Sequence, residues 1–433
     1  MQDIDLLAIK PFEICSIRPP TENYSLTFRL TRNCYWNKCR FCPVYKLGAR
    51  FSKRTLDEVK EDIERAKKID DLLIEWNIID PYFFNRSDSR FMDLINEIKE
   101  AHREAGFADS DAREKQPEIS EEIDPRMAWF LSWFRDKPAI EDSLNHVLTW
   151  RTGGARTCFF GDGDSLILKP DFFAEVTGHV KKNFPSLERF TVYGRTKSAA
   201  KLRTLSELQD FKKAGLDRVH FGLESGSDRV LSLMNKGVTK QEHIEGCLRT
   251  KEAGLSCSVY IMPGLGGRDL SEEHAYETAD ALSRIAPDFV RLRTLEVFPQ
   301  TPLEDLIKTG EFTEASEEQV VKEIKILIEN ITSSTEILSD SASNLLNVNG
   351  YLPVERNDIL QEIDEYLDLS QREKLEFSFN ARMNSFTGQY GSFSEDIIHS
   401  ITPFIVKGRI NLSYASDEML EKTIRLIRSK LMP

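Results

Sequence analysis

Between Tyr24 and Phe298 the chain repeats one pattern: a short apolar run, a turn rich in glycine or aspartate, and an amphipathic stretch of helical period. YSLTFRLTRNC, RTCFFGDGDS, RFTVYGR, RVHFGLESG, SCSVYIMPGLGG and DFVRLRTLEVF are the six strand candidates. Helical stretches follow most of them; Ser52 to Ile69, for instance, carries acids early, lysines late and apolar residues at helical intervals. Ala-Gly pairs at Gly215 and Gly254 mark helix ends, because glycine readily takes the left-handed cap. This alternation predicts an α/β fold whose parallel sheet closes fully or partly into a (βα) barrel of about six units.

Two regions break the rhythm. Residues from about 71 to 154 read as an insertion after the first unit. Beyond Phe312 strand signals fade, and EEQVVKEIKILIENITSSTEIL and RNDILQEIDEYLDL suggest helices. The expected division is an N-terminal extension (1–22), a barrel (23–312, with the insertion) and a mainly helical C-terminal domain (313–433). A chain of 433 residues is long enough for that. No apolar run approaches a membrane span and the first twenty residues lack a secretory pattern, so a cytoplasmic protein with no membrane partner is expected. The net charge of -13 disfavours a protein that works mainly by neutralising phosphates.

Three of the seven cysteines, Cys34, Cys39 and Cys42, form a C-x4-C-x2-C loop where the first strand ends. Active sites of barrels are built at that end of the strands. Three thiolates on one short loop suit three irons of a [4Fe-4S] cubane, leaving the fourth iron open. A structural zinc site wants four nitrogen or sulfur ligands, and the nearest histidine in sequence is His102. Cys15, Cys158, Cys247 and Cys257 read as buried packing residues, which makes a second cluster unexpected.

The loop, its strand context and the order of the downstream motifs resemble the radical S-adenosylmethionine superfamily over roughly Tyr24 to Leu306. The superfamily's commonest spacing is C-x3-C-x2-C with an aromatic residue before the third cysteine; Phe41 holds that place here, and the first gap is one residue longer. HFGLESGSDRVLSLMNKG is similar to the fourth-strand segment of the coproporphyrinogen dehydrogenase and methylthiotransferase branches. The resemblance implies that Gly161, Asp162, Gly163 and Asp164 stand where the superfamily has its Gly-Gly-Glu motif. A carboxylate there would receive the amino group of S-adenosylmethionine. It further implies cofactor contacts from Tyr193 and Arg195 at the third strand end, Glu224 and Ser225 at the fourth, and Arg293 on the sixth. Arg195 would pair with the carboxylate and Glu224 with ribose hydroxyls, while the Pro263–Gly267 loop would face the adenine or methionine end.

The activity implied by the resemblance is that of a radical enzyme. Its cluster would reductively cleave S-adenosylmethionine to a 5′-deoxyadenosyl radical that abstracts hydrogen from a small-molecule or peptide substrate. An electron donor such as flavodoxin or ferredoxin would be needed. Val44 replaces the cysteine or aromatic residue expected of a coproporphyrinogen-type enzyme, and the C-terminal region lacks a basic, strand-rich RNA-binding character. Nucleic acid is therefore not the expected partner. The alternatives are an RNA-modifying enzyme of the superfamily and a non-catalytic iron-sulfur or haem-handling protein. The stretch Trp129 to Phe134 reads as an amphipathic helix packing on the barrel, with a lid as the alternative.

Overall fold

The computed structural model describes residues 5–15, 17–44, 50–78, 89–106, 123–132 and 139–432. Eight strands form one sheet in strictly sequential order: β1 (Leu26–Arg29), β2 (Thr157–Gly161), β3 (Arg189–Gly194), β4 (Leu216–Glu224), β5 (Ser256–Ile261), β6 (Phe289–Leu292), β7 (Thr335–Leu338) and β8 (Gly350–Leu352). Neighbours from β1 to β7 pair in parallel, and β8 runs antiparallel to β7. β1 and β8 do not pair, so the sheet is an incomplete barrel. The six expected strands are all present, and β7 and β8 lengthen the sheet beyond Phe312. Both are short and flanked by serine and asparagine, so they give no measurable alternation.

Helices cover the outer face. α1 (Leu56–Glu75) opens with a reciprocal capping box between Thr55 and Glu58. The insertion contributes α2 (Ser89–Glu104), α3 (Pro125–Leu131) and α4 (Ile140–Thr152). α5 (Pro170–Asn183), α6 (Leu205–Lys213), α7 (Asp228–Leu233), α8 (Lys240–Glu252) and α9 (Ser271–Ile285) alternate with the middle strands. After β6 come α10 (Pro302–Lys308) and α11 (Glu317–Asn330), and beyond β8 the chain is mainly helical: α12 (Arg356–Leu367), α13 (Gln371–Tyr390), α14 (Glu395–Ile401) and α15 (Asp417–Lys430). Among the described residues no helix is long and apolar enough to cross a membrane.

Alternation along the strands explains the layering. Phe28, Cys158, Phe160, Phe190, Val192, Val219, Phe221, Cys257, Val259, Val290 and Leu292 point outward into the main core. Thr191, Tyr193, His220, Ser258, Tyr260 and Arg291 occupy the alternate positions and line the inner face. α4 closes the free edge: His146 Nε2 accepts the backbone N–H of Thr27 at 2.9 Å, so an edge group on β1 is not left bare. α3 packs Met127 and Phe130 against Phe298 beside Val44, the helix-packing outcome expected for the first part of the WFLSWF stretch. Trp133 and Phe134 lie outside the described residues.

Candidate cluster and cofactor site

The cysteine loop leaves β1 through Asn33 and Asn37, both in the left-handed region at φ 66° and 39°, where asparagine is tolerated. It is fastened at several points. Asn33 N donates to Asp162 at 2.9 Å, Arg40 N to Met234 O at 2.9 Å, and Trp36 Nε1 to Asn235 O at 2.9 Å. Trp36 lies directly over Gly237, where an added Cβ would stand 2.0 Å from the indole. Gly163 is close in the same way, its virtual Cβ 3.1 Å from the Cβ of Cys34.

Cys34, Cys39 and Cys42 are half-buried and carry no disulfide. Cys39 and Cys42 pack with Phe41 against Val230, Met234, Leu265 and Leu295. Burial pushes the Cys39 thiol up, while the cations Lys236 and Arg195 oppose that shift. Among the described residues no three His, Cys, Asp or Glu side chains are arranged to hold one metal ion. Three thiols on one loop match in number the ligands of a cubane, in which each of three irons takes one thiolate. Nearby positive charge fits thiolates and an anionic cluster.

The strand ends converge on this loop. Asp162 is buried and accepts Arg29 Nη2 at 2.7 Å, Arg29 Nε at 3.2 Å and the Asn33 N–H, so its charge is matched inside the protein. Asp164 is also buried and accepts Ser198 Oγ at 2.5 Å and the backbone N–H groups of Arg195 at 3.1 Å and Leu166 at 3.2 Å. Burial raises its carboxyl to about 6, against those hydrogen bonds. Arg195 reaches into the cysteine loop: Nη1 donates to Tyr35 OH at 3.1 Å, Nη2 to Lys236 O at 2.5 Å, and the guanidinium stacks on Tyr35 and Trp36.

At the end of β4 the register slips between Gly222 and Glu224, a bulge that re-aims the side chain. Glu224 there adopts φ 68°, a conformation costing a non-glycine residue about 1–3 kcal/mol. Among the described residues its one ion-pair partner is Lys236, at 3.1 Å. Ser225, by contrast, is not brought to the site: its hydroxyl is fully buried against His274 Nδ1 at 2.8 Å and accepts Ser227 N. Tyr193 and Arg293 lie on the inner face, where the charge of Arg293 acts on Tyr193 and Tyr260. Gly161 is held against Cys15, whose sulfur would stand 2.0 Å from an added Cβ.

Two residues at the site escape a reading by motif. Lys236 connects Glu224, the Phe41 ring at 5.8 Å and the field at Cys39; it stands in the HFGLESGSDRVLSLMNKG segment, but nothing in that segment singles it out. Cys15 is buried as expected, but its thiol also contacts Asp162 at 3.4 Å and donates to Ile17 O at 3.0 Å. The other three cysteines outside the loop are buried.

Comparison with known proteins places these elements. A family model described as the Radical SAM superfamily matches residues 124–279, which span β2 to β5 and leave the cysteine loop outside. Two curated relatives named tRNA uridine(34) acetyltransferase, from Methanocaldococcus infernus and Methanocaldococcus jannaschii, are 27% identical over 119 and 121 residues. These matches cover 27% of this chain and only 22% of each relative's length. Among solved structures, the archaeal Methanocaldococcus infernus Elp3 aligns at 17% identity over 52% of this chain and 57% of its own, with a TM-score of 0.38. HydG, a maturase of the [FeFe]-hydrogenase, aligns at 12% identity over 94% of this chain and 78% of its own, with a TM-score of 0.39. Residues 124–279, which carry the second to fifth strand ends onto which the three-cysteine loop folds, are thus similar to the radical S-adenosylmethionine superfamily.

Proposed function

We propose that Cys34, Cys39 and Cys42 hold a [4Fe-4S] cluster and that the chain is a radical S-adenosylmethionine enzyme acting on a small molecule or peptide. The observation that carries this reading is the set of three thiols outside any disulfide on one loop, flanked by Arg195 and Lys236 and seated on the strand ends of the stretch that matches the superfamily. Together, cluster and cofactor supply a one-electron reductive cleavage of the sulfonium that gives methionine and a hydrogen-abstracting 5′-deoxyadenosyl radical. An external donor such as flavodoxin or ferredoxin provides the electron.

The chain's own residues supply position. Arg195, Tyr35 and Trp36 lock the cysteine loop to β3, and Lys236 balances Glu224 while adding positive charge beside Cys39. Glu224, pushed forward by the bulge, is the carboxylate best placed for ribose or amine hydrogen bonds. Asp162 and Asp164 share the second strand end with internal partners and shape the cofactor pocket together with Gly161 and Gly163. The apolar wall of Phe41, Met234, Leu265 and Leu295 excludes water from the loop. The barrel unit starts near residue 23, and the helices beyond Arg356 form an appended C-terminal part.

Anaerobically reconstituted protein should carry about four irons per chain, as one cubane. The triple alanine variant of Cys34, Cys39 and Cys42 should lose the cluster's visible absorption. About eight irons in the parent, or an unchanged spectrum in the variant, overturns the reading. The names of the curated relatives favour a second reading, a transfer-RNA-modifying enzyme, against which the acidic charge of the chain stands.

A further inference from the structure

Two buried titratable groups lie behind the strand ends of β4 and β5. Glu323 sits on α11 within an apolar stripe of Val320, Ile324 and Leu327, and it is 3% exposed. A helix that only packed on its neighbour would carry an apolar residue there, since a carboxylate taken out of water is costly unless its hydrogen bonds are met. Here they are met: Oε1 accepts Gly264 N at 2.8 Å and Oε2 accepts Ser271 Oγ at 2.6 Å. His274 of α9, 1% exposed, stands beside it with Nε2 3.4 Å from Glu323 Oε1.

His274 ties the two strand ends together. Its Nε2 lies 3.1 Å from Met262 O, which can only accept, so Nε2 carries the hydrogen and Nδ1 accepts from Ser225 Oγ at 2.8 Å. Ser225 Oγ in turn accepts Ser227 N at 3.0 Å, and Thr278, one turn further along α9, accepts Gly226 N at 2.8 Å. These are the three residues that follow Glu224, whose φ of 68° persists only where its surroundings fix it. The next strand end is fixed likewise. Met262 N donates to Glu224 O at 3.0 Å, and Gly264, at φ 86°, opens the loop whose Leu265 packs against Cys39 and Cys42. Ser271 starts α9 with no side-chain cap before it, and Glu323 holds it in place. The void beside His274 and Glu323 measures about 10 Å³, room for one water at most, so the network is closed and acts through the strand ends it holds.

We infer that Glu323 and His274 are positioning residues for cofactor binding: from α11 and α9 they clamp Glu224 and the backbone of the Pro263–Gly267 loop in the arrangement that receives S-adenosylmethionine. The inference rests on the proposed radical reading for the identity of the ligand, whereas the clamp itself is hydrogen-bond geometry. Glu323 lies beyond residues 124–279, so strand ends inside the stretch similar to the superfamily depend on a helix outside it.

The test uses the full-length, anaerobically reconstituted protein. Glu323→Ala and His274→Ala should each weaken S-adenosylmethionine, titrated calorimetrically, about five- to tenfold, the loss of one buried hydrogen bond. KM for S-adenosylmethionine should rise by the same factor with kcat nearly unchanged, and iron content should stay parental. Glu323→Gln keeps an acceptor for Gly264 N and should remain within about twofold of the parent. Ser225→Ala removes a single hydroxyl; it serves if the larger truncations do not fold, and should weaken binding about threefold. In the cofactor-free protein, hydrogen exchange over residues 222–227 and 262–267 should be faster in Glu323→Ala and Ser225→Ala than in the parent, and unchanged over β2. Parental affinity in the folded variants, a loss in kcat alone, equal losses in Glu323→Ala and Glu323→Gln, or unchanged exchange overturns the inference. If exchange rises as expected while the parent binds no S-adenosylmethionine, the clamp stands and the radical reading falls instead.

Discussion

Asp164 shows how a residue visible in a sequence can have partners that the sequence does not show. Its Gly-Asp turn at a strand end suggests a carboxylate offered to a ligand, but the folded chain wraps it in Ser198 and two backbone N–H groups. Its raised pKa makes a prediction about stability. A carboxyl with a folded value of about 6 binds more protons in the native state than in the unfolded chain, whose value is about 3.9. Its contribution to stability is therefore largest below about pH 4, is lost as pH rises to about 6, and stays lost above that. Asp164→Asn keeps an acceptor for the two backbone donors and removes the titration. Urea unfolding of parent and variant should differ in pH slope between about 4 and 6, with the parent losing more stability as pH rises; parallel curves overturn the assignment. Lys236 is the opposite case: it lies in a segment the sequence marks, yet its own role is silent there because a lone lysine after a helix is ordinarily a solvated surface group. Only folding brings it under Phe41 and against Glu224.

Among the elements, the cysteine loop and the turn after α7 are the pair on which the site depends. Helix α7 ends at Leu233, and Met234 to Gly237 then run beneath the loop, contributing carbonyls to Arg40, Trp36, Arg195 and Lys197. Gly237 holds φ 69° under the Trp36 ring. Gly237→Ala meets both a strained backbone and an indole with no room, so the loop cannot seat. Circular dichroism and thermal unfolding should remain close to the parent, because the strand and helix core is untouched, while iron uptake on reconstitution should fall by more than half. Parental iron content in a folded variant would show that the turn does not position the loop.

At the scale of the whole molecule, charge separates the two functional readings. The net charge of -13 is accompanied by internal use of the basic residues near the strand ends. Arg54 is paired with Asp62, Lys197 with Gly237 O and Glu242, Lys236 with Glu224, and Arg268 with Asp269. Arg126 of α3 and Arg428 of α15 are engaged in the same manner, both meeting Glu296 after β6. Broad phosphate contact would have to compete with these pairs. Binding of total cellular RNA, measured at about 50 and 200 mM salt, should therefore stay weaker than micromolar. Micromolar affinity with a steep salt dependence, together with RNA-dependent consumption of S-adenosylmethionine, would promote the transfer-RNA reading.

The first six strands, their helices and the cysteine loop are legible in the sequence because each is a local event: alternation, a capping box, three thiols within nine residues. Propensity and spacing act over a few neighbours, and there the chain is unambiguous. β7 and β8 are not legible, since strands of four and three residues form only on an open edge, β7 on that of β6 and β8 on that of β7. The same holds for the site. Spacing identifies the cysteines and the strand ends, but whether a carboxylate there faces a ligand or a buried cation depends on residues far away in sequence or brought round by a turn, as Arg29 does for Asp162 and Lys236 for Glu224. The inner face is the clearest case. Thr191, His220, Ser258, Tyr260 and Arg291 are scattered over about a hundred residues, and only the parallel register gathers them into one buried polar surface.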